Sequence, residues 1–512
     1  MVRIDSSSAL GVSKNARQRT ETSNSSALHG FLGSACLVTL WKIWLSEAPL
    51  SRTTGPGLED SFLRLIASMQ KPSMSAPTSS PPPDSADPGI AAPGRLRTTF
   101  RALQHRNFQL FFGGQLISLT GTWMQTIAQS WLVYHITGSS LQLGKVGFFG
   151  QFPVFMLAPL GGMLADRTDR RRVVIGTQVS SMILAFVLAA LTLSHSVQVW
   201  HLFVLSALLG VVNAFDIPAR QSFLSDMVGR EDLMNAIALN SSMFNGARIV
   251  GPAVAGLVVA RIGEGWCFFT NGVSYIAVII GLLMMKVHCV SRGGELSPWE
   301  SLREGFQFVN RTVPIRALLL LLGLVSLVCM PYTVLMPIFA DRILHGGPKA
   351  LGTLMGATGI GAMFGALTLA SRQGVRGLGR WVAVAAGALG CFLIAFSFSR
   401  LQWLSVLLLL PVGYFMMLEM SSSNTLIQSM TPDALRGRVM AVYSMMFMGM
   451  APFGALFGGA IADRLGAPVT VAIGGVAAIM GALVFARYLP LIRAEGRRLI
   501  VAQESALGEA GD

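Results

Sequence analysis

From Phe108 onward the chain alternates long apolar runs with short polar breaks. The runs fall near 108–134, 141–164, 173–193, 200–222, 235–260, 266–286, 315–340, 350–371, 381–398, 403–427, 438–462 and 467–489. A helix needs about 20 apolar residues to cross a bilayer, and most of these runs reach that length. The pattern predicts an all-α polytopic membrane protein with twelve transmembrane helices. The break at 287–314 is the longest. Within it Trp299, Leu302, Phe306 and Val309 recur at helical spacing among charged residues, which predicts a short helix lying on a membrane face.

Before residue 95 the pattern changes. Met1–Ser26 is polar and Ser-rich, and Gln70–Pro93 is rich in Pro, Ser and Ala. Both compositions predict disorder. The apolar run Phe31–Leu45 is short for a span and is interrupted by Lys42. The expected organisation is a disordered N-terminal extension over 1–94, a six-helix bundle over 95–286, a linker over 287–314, a second six-helix bundle over 315–490 and a tail over 491–512. The extension is expected to be dispensable, with Met69 or Met74 as alternative starts.

Composition agrees with the spans. Of the 512 residues, 52% are hydrophobic and 12% are charged, and the mean hydropathy is +0.57. Soluble domains carry about 25% charged residues. The net charge of +14 does not point to nucleic acid, because the basic residues gather in short loops on one side of the spans. Arg167, Arg170, Arg171 and Arg172 share one loop, while 135–140 and 194–199 hold no Lys or Arg. Short basic loops stay cytoplasmic, so both termini are expected there. Neither the five Cys nor the seven His have metal-ligand spacing, and no metal, cofactor or catalytic constellation is expected.

The two halves repeat. A shift of 203 residues places Ala238, Ser241, Met243, Phe244, Gly246, Gly251, Gly256, Arg261 and Gly263 on Ala441, Ser444, Met446, Phe447, Gly449, Gly454, Gly459, Arg464 and Gly466. The fifth span therefore pairs with the eleventh, as two parallel repeats require. Gly251, Gly256, Gly454 and Gly459 read as packing positions where helices approach closely, and Pro252 as a bend.

Ionisable groups inside spans default to function. Arg248 lies near the middle of the fifth span, and Glu419 lies well inside the tenth. Glu419 reads equally as a proton site or as the structural partner of a helix end or an Arg. Lys145 reads as a snorkelling residue. Gln125 and Gln129 in the first span read either as cavity lining or as interhelical hydrogen bonds.

The segment Gly162-Met163-Leu164-Ala165-Asp166-Arg167-Thr168-Asp169-Arg170-Arg171 resembles the loop between helices 2 and 3 of the major facilitator superfamily, with Asp169 where that pattern carries Gly. Arg106-Asn107-Phe108, Gly121-Thr122-Trp123-Met124-Gln125, Pro218-Ala219-Arg220-Gln221 and Asn235–Ser241 resemble the bacterial branch of enterobactin-exporter-like and macrolide-efflux-like permeases, over about 100–490. Gly251-Pro252 with Gly256 resembles the Gly-Pro motif of antiporter helix 5, with the later Gly one position further on.

The resemblance implies two pseudo-symmetric bundles and export of a drug, a macrolide-like compound or a siderophore by alternating access, driven by proton antiport. It implies an inner gate of Gly162, Asp166, Arg167, Arg170, Arg171 and Asp216. Asp166 would face the start of the eleventh span, and Arg170 would meet Asp216. Glu419, with Arg248 opposite, would couple to protons. A monomer in the bacterial inner membrane is expected, with bilayer lipid, substrate and protons as its partners. A solute importer, a lipid flippase and a non-transporting sensor of the same fold remain alternatives, and an enzyme is not expected.

Overall fold

A computed structural model describes residues 100–285, 298–372 and 374–509, all of it helix, turn and loop. The extension over 1–94 lies outside the described residues. A 3-10 turn at Arg101–Gln104 leads into α1 (Arg106–Thr137), α2 (Ser140–Arg167) and α3 (Arg170–Leu193). Then come α4 (Val199–Gly229), α5 (Glu231–Ile262), α6 (Glu264–Met284) and the linker helix α7 (Pro298–Arg311). The rest of the chain forms α8 (Val313–Ile343), α9 (Gly347–Ala370), α10 (Leu378–Phe398), α11 (Gln402–Ser429), α12 (Asp433–Leu465) and α13 (Ala467–Glu509).

Among the described residues, eleven helices, α2–α6 and α8–α13, are long and apolar enough to cross a membrane. The expected twelfth, α1, is long at 32 residues, but Gln115, Thr122, Gln125, Thr126 and Gln129 dilute its apolar character. The last helix runs well past the expected end at 489, through the tail to Glu509.

Local chemistry explains the breaks. Asp169 caps α3, its carboxylate accepting from the backbone N–H groups of Arg171 and Arg172 at 3.0 and 3.4 Å. This accounts for the acid at a position the motif usually gives to Gly. Gly229, at φ +71°, turns the chain between α4 and α5, a conformation that a side chain disfavours. In α8 the α-helix stops at Val328 and resumes at Pro331, which has no N–H to donate, and it ends in a π turn at Phe339–Ile343.

In the first half α1 packs on α5 and α6, α2 on α4, and α3 on α6; in the second, α9 packs on α11, α10 on α11 and α13, and α8 on α12 and α13. The halves meet along two seams, α5 against α9 and α2 against α12. The 203-residue shift carries Gly256 of α5 onto Gly459 of α12, and a 208-residue shift carries Ser140 and Gly144 of α2 onto Pro348 and Gly352 of α9, so the two seams correspond. A methyl group at Gly256 would fall 2.8 Å from the Pro348 carbonyl oxygen and 3.1 Å from the Gly352 Cα. At Gly459 it would fall 2.7 Å from the Ser140 carbonyl oxygen and 2.9 Å from the Gly144 Cα. Each seam thus has backbone lying directly on backbone.

Candidate functional site

The charged turn between α2 and α3 is fixed by Arg170 and Arg171. Arg170 is buried at 7% exposure. Its Nη1 donates to both oxygens of Asp226, at 3.1 and 2.9 Å, and its Nε donates to the Ala165 carbonyl at 3.2 Å. The expected partner, Asp216, is not the one found. Ten residues of helix separate the two acids, about 15 Å along α4. Asp226 lies level with the turn, while Asp216 lies too deep. Arg171 donates to the carbonyls of Leu282 and Leu283 at 2.8 and 3.0 Å, satisfying the C-terminal end of α6. Arg167 is exposed. The side chain of Asp166 lies outside the described residues. A side chain at Gly162 would meet nothing within 4 Å, whereas Gly161 sits directly on the Ala214 carbonyl of α4. The close approach of α2 to α4 at this end is therefore made at Gly161, and the Gly162 side of α2 faces open space.

Asp216 anchors a different assembly. It is 4% exposed and accepts from Thr177 at 2.7 Å and from Gln178 at 2.9 Å on one oxygen. Its other oxygen lies 3.4 Å from Arg220, which donates to Gln115 of α1 at 3.2 Å. Further along α1, Asn271 of α6 donates to Gln125 at 2.7 Å, and Gln129 donates to Ser206 of α4 at 2.7 Å. Gln125 and Gln129 therefore both take part in interhelical hydrogen bonds. Their partners lie 146 and 77 residues away in sequence, which is why spacing alone did not separate the two readings.

Glu419 sits in the core of the second half at 1% exposure, accepting from the Ser423 hydroxyl at 3.2 Å. Cys329 and Tyr443 lie within its electrostatic reach. Arg248 makes no ion pair with it. The Arg248 guanidinium lies 5.7 Å from the centre of the Trp123 ring and within electrostatic reach of Tyr332. Tyr332 and Cys329 flank the break in α8, one turn apart, so Arg248 acts on one end of the break and Glu419 on the other.

At the end far from the Arg170 turn, polar contacts join the halves. The Tyr134 hydroxyl donates to Asp341 at 2.9 Å, and Arg342 donates to the Gly138 carbonyl at 2.9 Å. Both second-half residues lie in the π turn of α8. Ser139 donates to Asp463 at 3.0 Å. Phe148, Phe152 and Phe155 of α2 surround Phe453 of α12 with ring centres 5.9–6.3 Å away. Sequence reasoning missed this closure. Tyr134 and Arg342 are unremarked singly, and only the packing brings them together.

Residues 97–503 match the model of a family described as "Transmembrane secretion effector". The staphyloferrin A transporter of Staphylococcus aureus is 24% identical, over 73% of this chain and 94% of its own length. The multidrug efflux pump Tap of Mycolicibacterium fortuitum is 26% identical, over 73% and 93%. The enterobactin exporter EntS of Escherichia coli is 25% identical, over 77% and 93%. Among solved structures, the nucleoside transporter NupG aligns with a TM-score of 0.60 at 14% identity, covering 76% of this chain and 99% of that one, which shows a shared fold.

Proposed function

Because this chain belongs to the transmembrane secretion effector family of the major facilitator superfamily, we propose that it is a secondary transporter that exports a siderophore or a drug-like organic molecule by proton antiport. One observation carries the reading. The halves are joined at the far end through Gly144–Gly459, Gly256–Gly352 and Tyr134–Asp341, while Gly162, near the Arg170 turn, faces open space. A transporter closed on one side and open on the other is in one of the two states that alternating access requires. The basic loops put the Arg170 turn in the cytoplasm, so this state faces inward, with both termini on the cytoplasmic side of the bacterial inner membrane and α1 acting as the twelfth span. In the opposite state Gly162 and Asp166, one turn apart on α2, come to lie against the start of α12, where a carboxylate is favoured by the helix N-terminus.

Glu419 is the proton carrier in this scheme. It is a buried carboxylate in the core of the second half, and among the described residues its hydrogen-bond partner is the neutral hydroxyl of Ser423. Such a group exchanges its proton as the surrounding helices move. Arg248 then acts on the other side of the α8 break. The test is efflux from vesicles with and without an imposed pH gradient. Wild type is expected to respond to the gradient. Glu419→Gln is expected to bind substrate and to lose uphill efflux. A gradient response equal to wild type in Glu419→Gln would place the proton site elsewhere. Net uptake by wild type under the same gradient would favour an importer.

A further inference from the structure

Beneath the linker helix the structure holds a cavity of about 490 Å³, bounded by α7, the first turns of α8 and the face of α12. That size falls in the range of small-molecule sites, about 300–1,000 Å³. Its walls differ sharply in character. Arg303, Gln307 and Asn310, spaced along one face of α7, give it a polar rim. Leu319, Leu320 and Met446 give it an apolar floor. Arg316 of α8 lies at depth, 5% exposed, with Nη1 donating to the Asn310 carbonyl at 3.3 Å.

The charges around it do not cancel. Glu304 is engaged by Arg438 of α12. Glu495 of α13 interacts with Arg316 from behind. Arg303, exposed on the rim, finds no carboxylate among the described residues. The cavity therefore presents one cation in excess, beside amide donors and above an apolar floor. A guanidinium fork suits a carboxylate or a phosphate.

We propose that this cavity binds an anionic amphiphile, with its acidic group between Arg303 and Arg316 and its apolar body against Leu320 and Met446. The clamp that builds the cavity fixes its place. Gly305 lies so close to the start of α12 that a methyl group there would fall 2.7 Å from the Arg438 carbonyl. A ligand held here touches the linker, α8 and α12 together, where the linker docks on the second half. The site stands independently of the direction of transport and of proton coupling, because it is read from binding alone.

The test uses the purified full chain in dodecyl maltoside, with dodecanoate as the acidic probe and dodecylammonium as its cationic counterpart, in isothermal titration without any gradient. Dodecanoate is expected to bind one saturable site, and dodecylammonium is expected to bind far more weakly. Arg303→Gln and Arg316→Gln are each expected to weaken dodecanoate about tenfold, the scale of one charge-assisted contact. Leu320→Trp, which fills the floor, is expected to abolish binding. Arg303 and Leu320 are exposed and half-buried respectively, so these two variants keep the test intact if Arg316→Gln does not fold. Equal dodecanoate affinity in wild type, Arg303→Gln and Leu320→Trp would overturn the proposal, and so would equal affinity for the two probes. Repeating the titration in phosphatidylcholine nanodiscs with and without phosphatidylglycerol separates the sources of the acid. Displacement by phosphatidylglycerol assigns the site to a lipid phosphate, and undiminished dodecanoate binding assigns it to a soluble carboxylate.

Discussion

Arg170 illustrates how a charge at a membrane boundary chooses its partner by depth. Its guanidinium takes both oxygens of Asp226 and is almost fully covered. Losing the charge-assisted bonds from Arg170 to Asp226 costs about 2 kcal/mol. Asp226→Ala is therefore expected to lower the thermal midpoint by several degrees, measured by fluorescence-detected size exclusion. The exposed cap Asp169 offers a contrast. Asp169→Ala is expected to cost about 1 kcal/mol, the usual value of an N-cap. The sequence marked Arg170 as important but led to Asp216, because a linear motif carries no measure of how far α4 continues before Gly229 turns it. The glutamines of α1 show the same limit. Nothing near Gln125 in sequence announces Asn271, so its hydrogen bond becomes visible only once α1 and α6 lie side by side.

At the scale of helices, the apolar runs set the element order from α2 onward, since about 20 consecutive apolar residues have few alternatives to a spanning helix. The boundaries were less legible. The break in α8 follows from Pro331 inside a run that is otherwise continuously apolar, and the extension of α13 beyond 489 follows from a polar stretch that favours helix without apolar periodicity. The glycine seams make a testable element-level statement. Valine at Gly256 would collide with the backbone of α9, and valine at Gly459 with that of α2. Either substitution is expected to preserve insertion but force the far ends apart. Spin labels at the far ends of α1 and α9 should then report a longer distance in Gly256→Val and in Gly459→Val than in wild type. Unchanged distances would mean that the seams yield without separating the halves.

In the proposed transport cycle, the far-end contacts weigh on the balance between two states. Transport requires those states to lie close in free energy, so one contact matters. The hydrogen bond from Arg342 to Gly138 is worth about 1 kcal/mol, which corresponds to a several-fold change in the ratio of states. Arg342→Ala is expected to increase labelling of a cysteine placed at Thr137, beside this contact, several-fold, without loss of protein from the membrane. In the proposed inner gate, Asp166→Asn would act on the opposite side of the same balance. It is expected to leave expression near wild type and to lower efflux several-fold, because a helix N-terminus favours the carboxylate by up to about 1 kcal/mol. Wild-type efflux in Asp166→Asn would reduce the charged turn to an orientation signal.

The clamp between α7 and α12 also bears on how the protein is made. Glu304 and Arg438 are 134 residues apart, so the linker helix leaves the ribosome long before its partner exists. At ordinary elongation rates the wait is on the order of 10 s. During that time α7, apolar on one side and charged on the other, has only the headgroup layer to shelter it. Docking of the linker is thus a late assembly step that reports the arrival of α12. A nascent chain stalled before Asp433 should leave α7 open to protease, and release of synthesis past Leu465 should protect it.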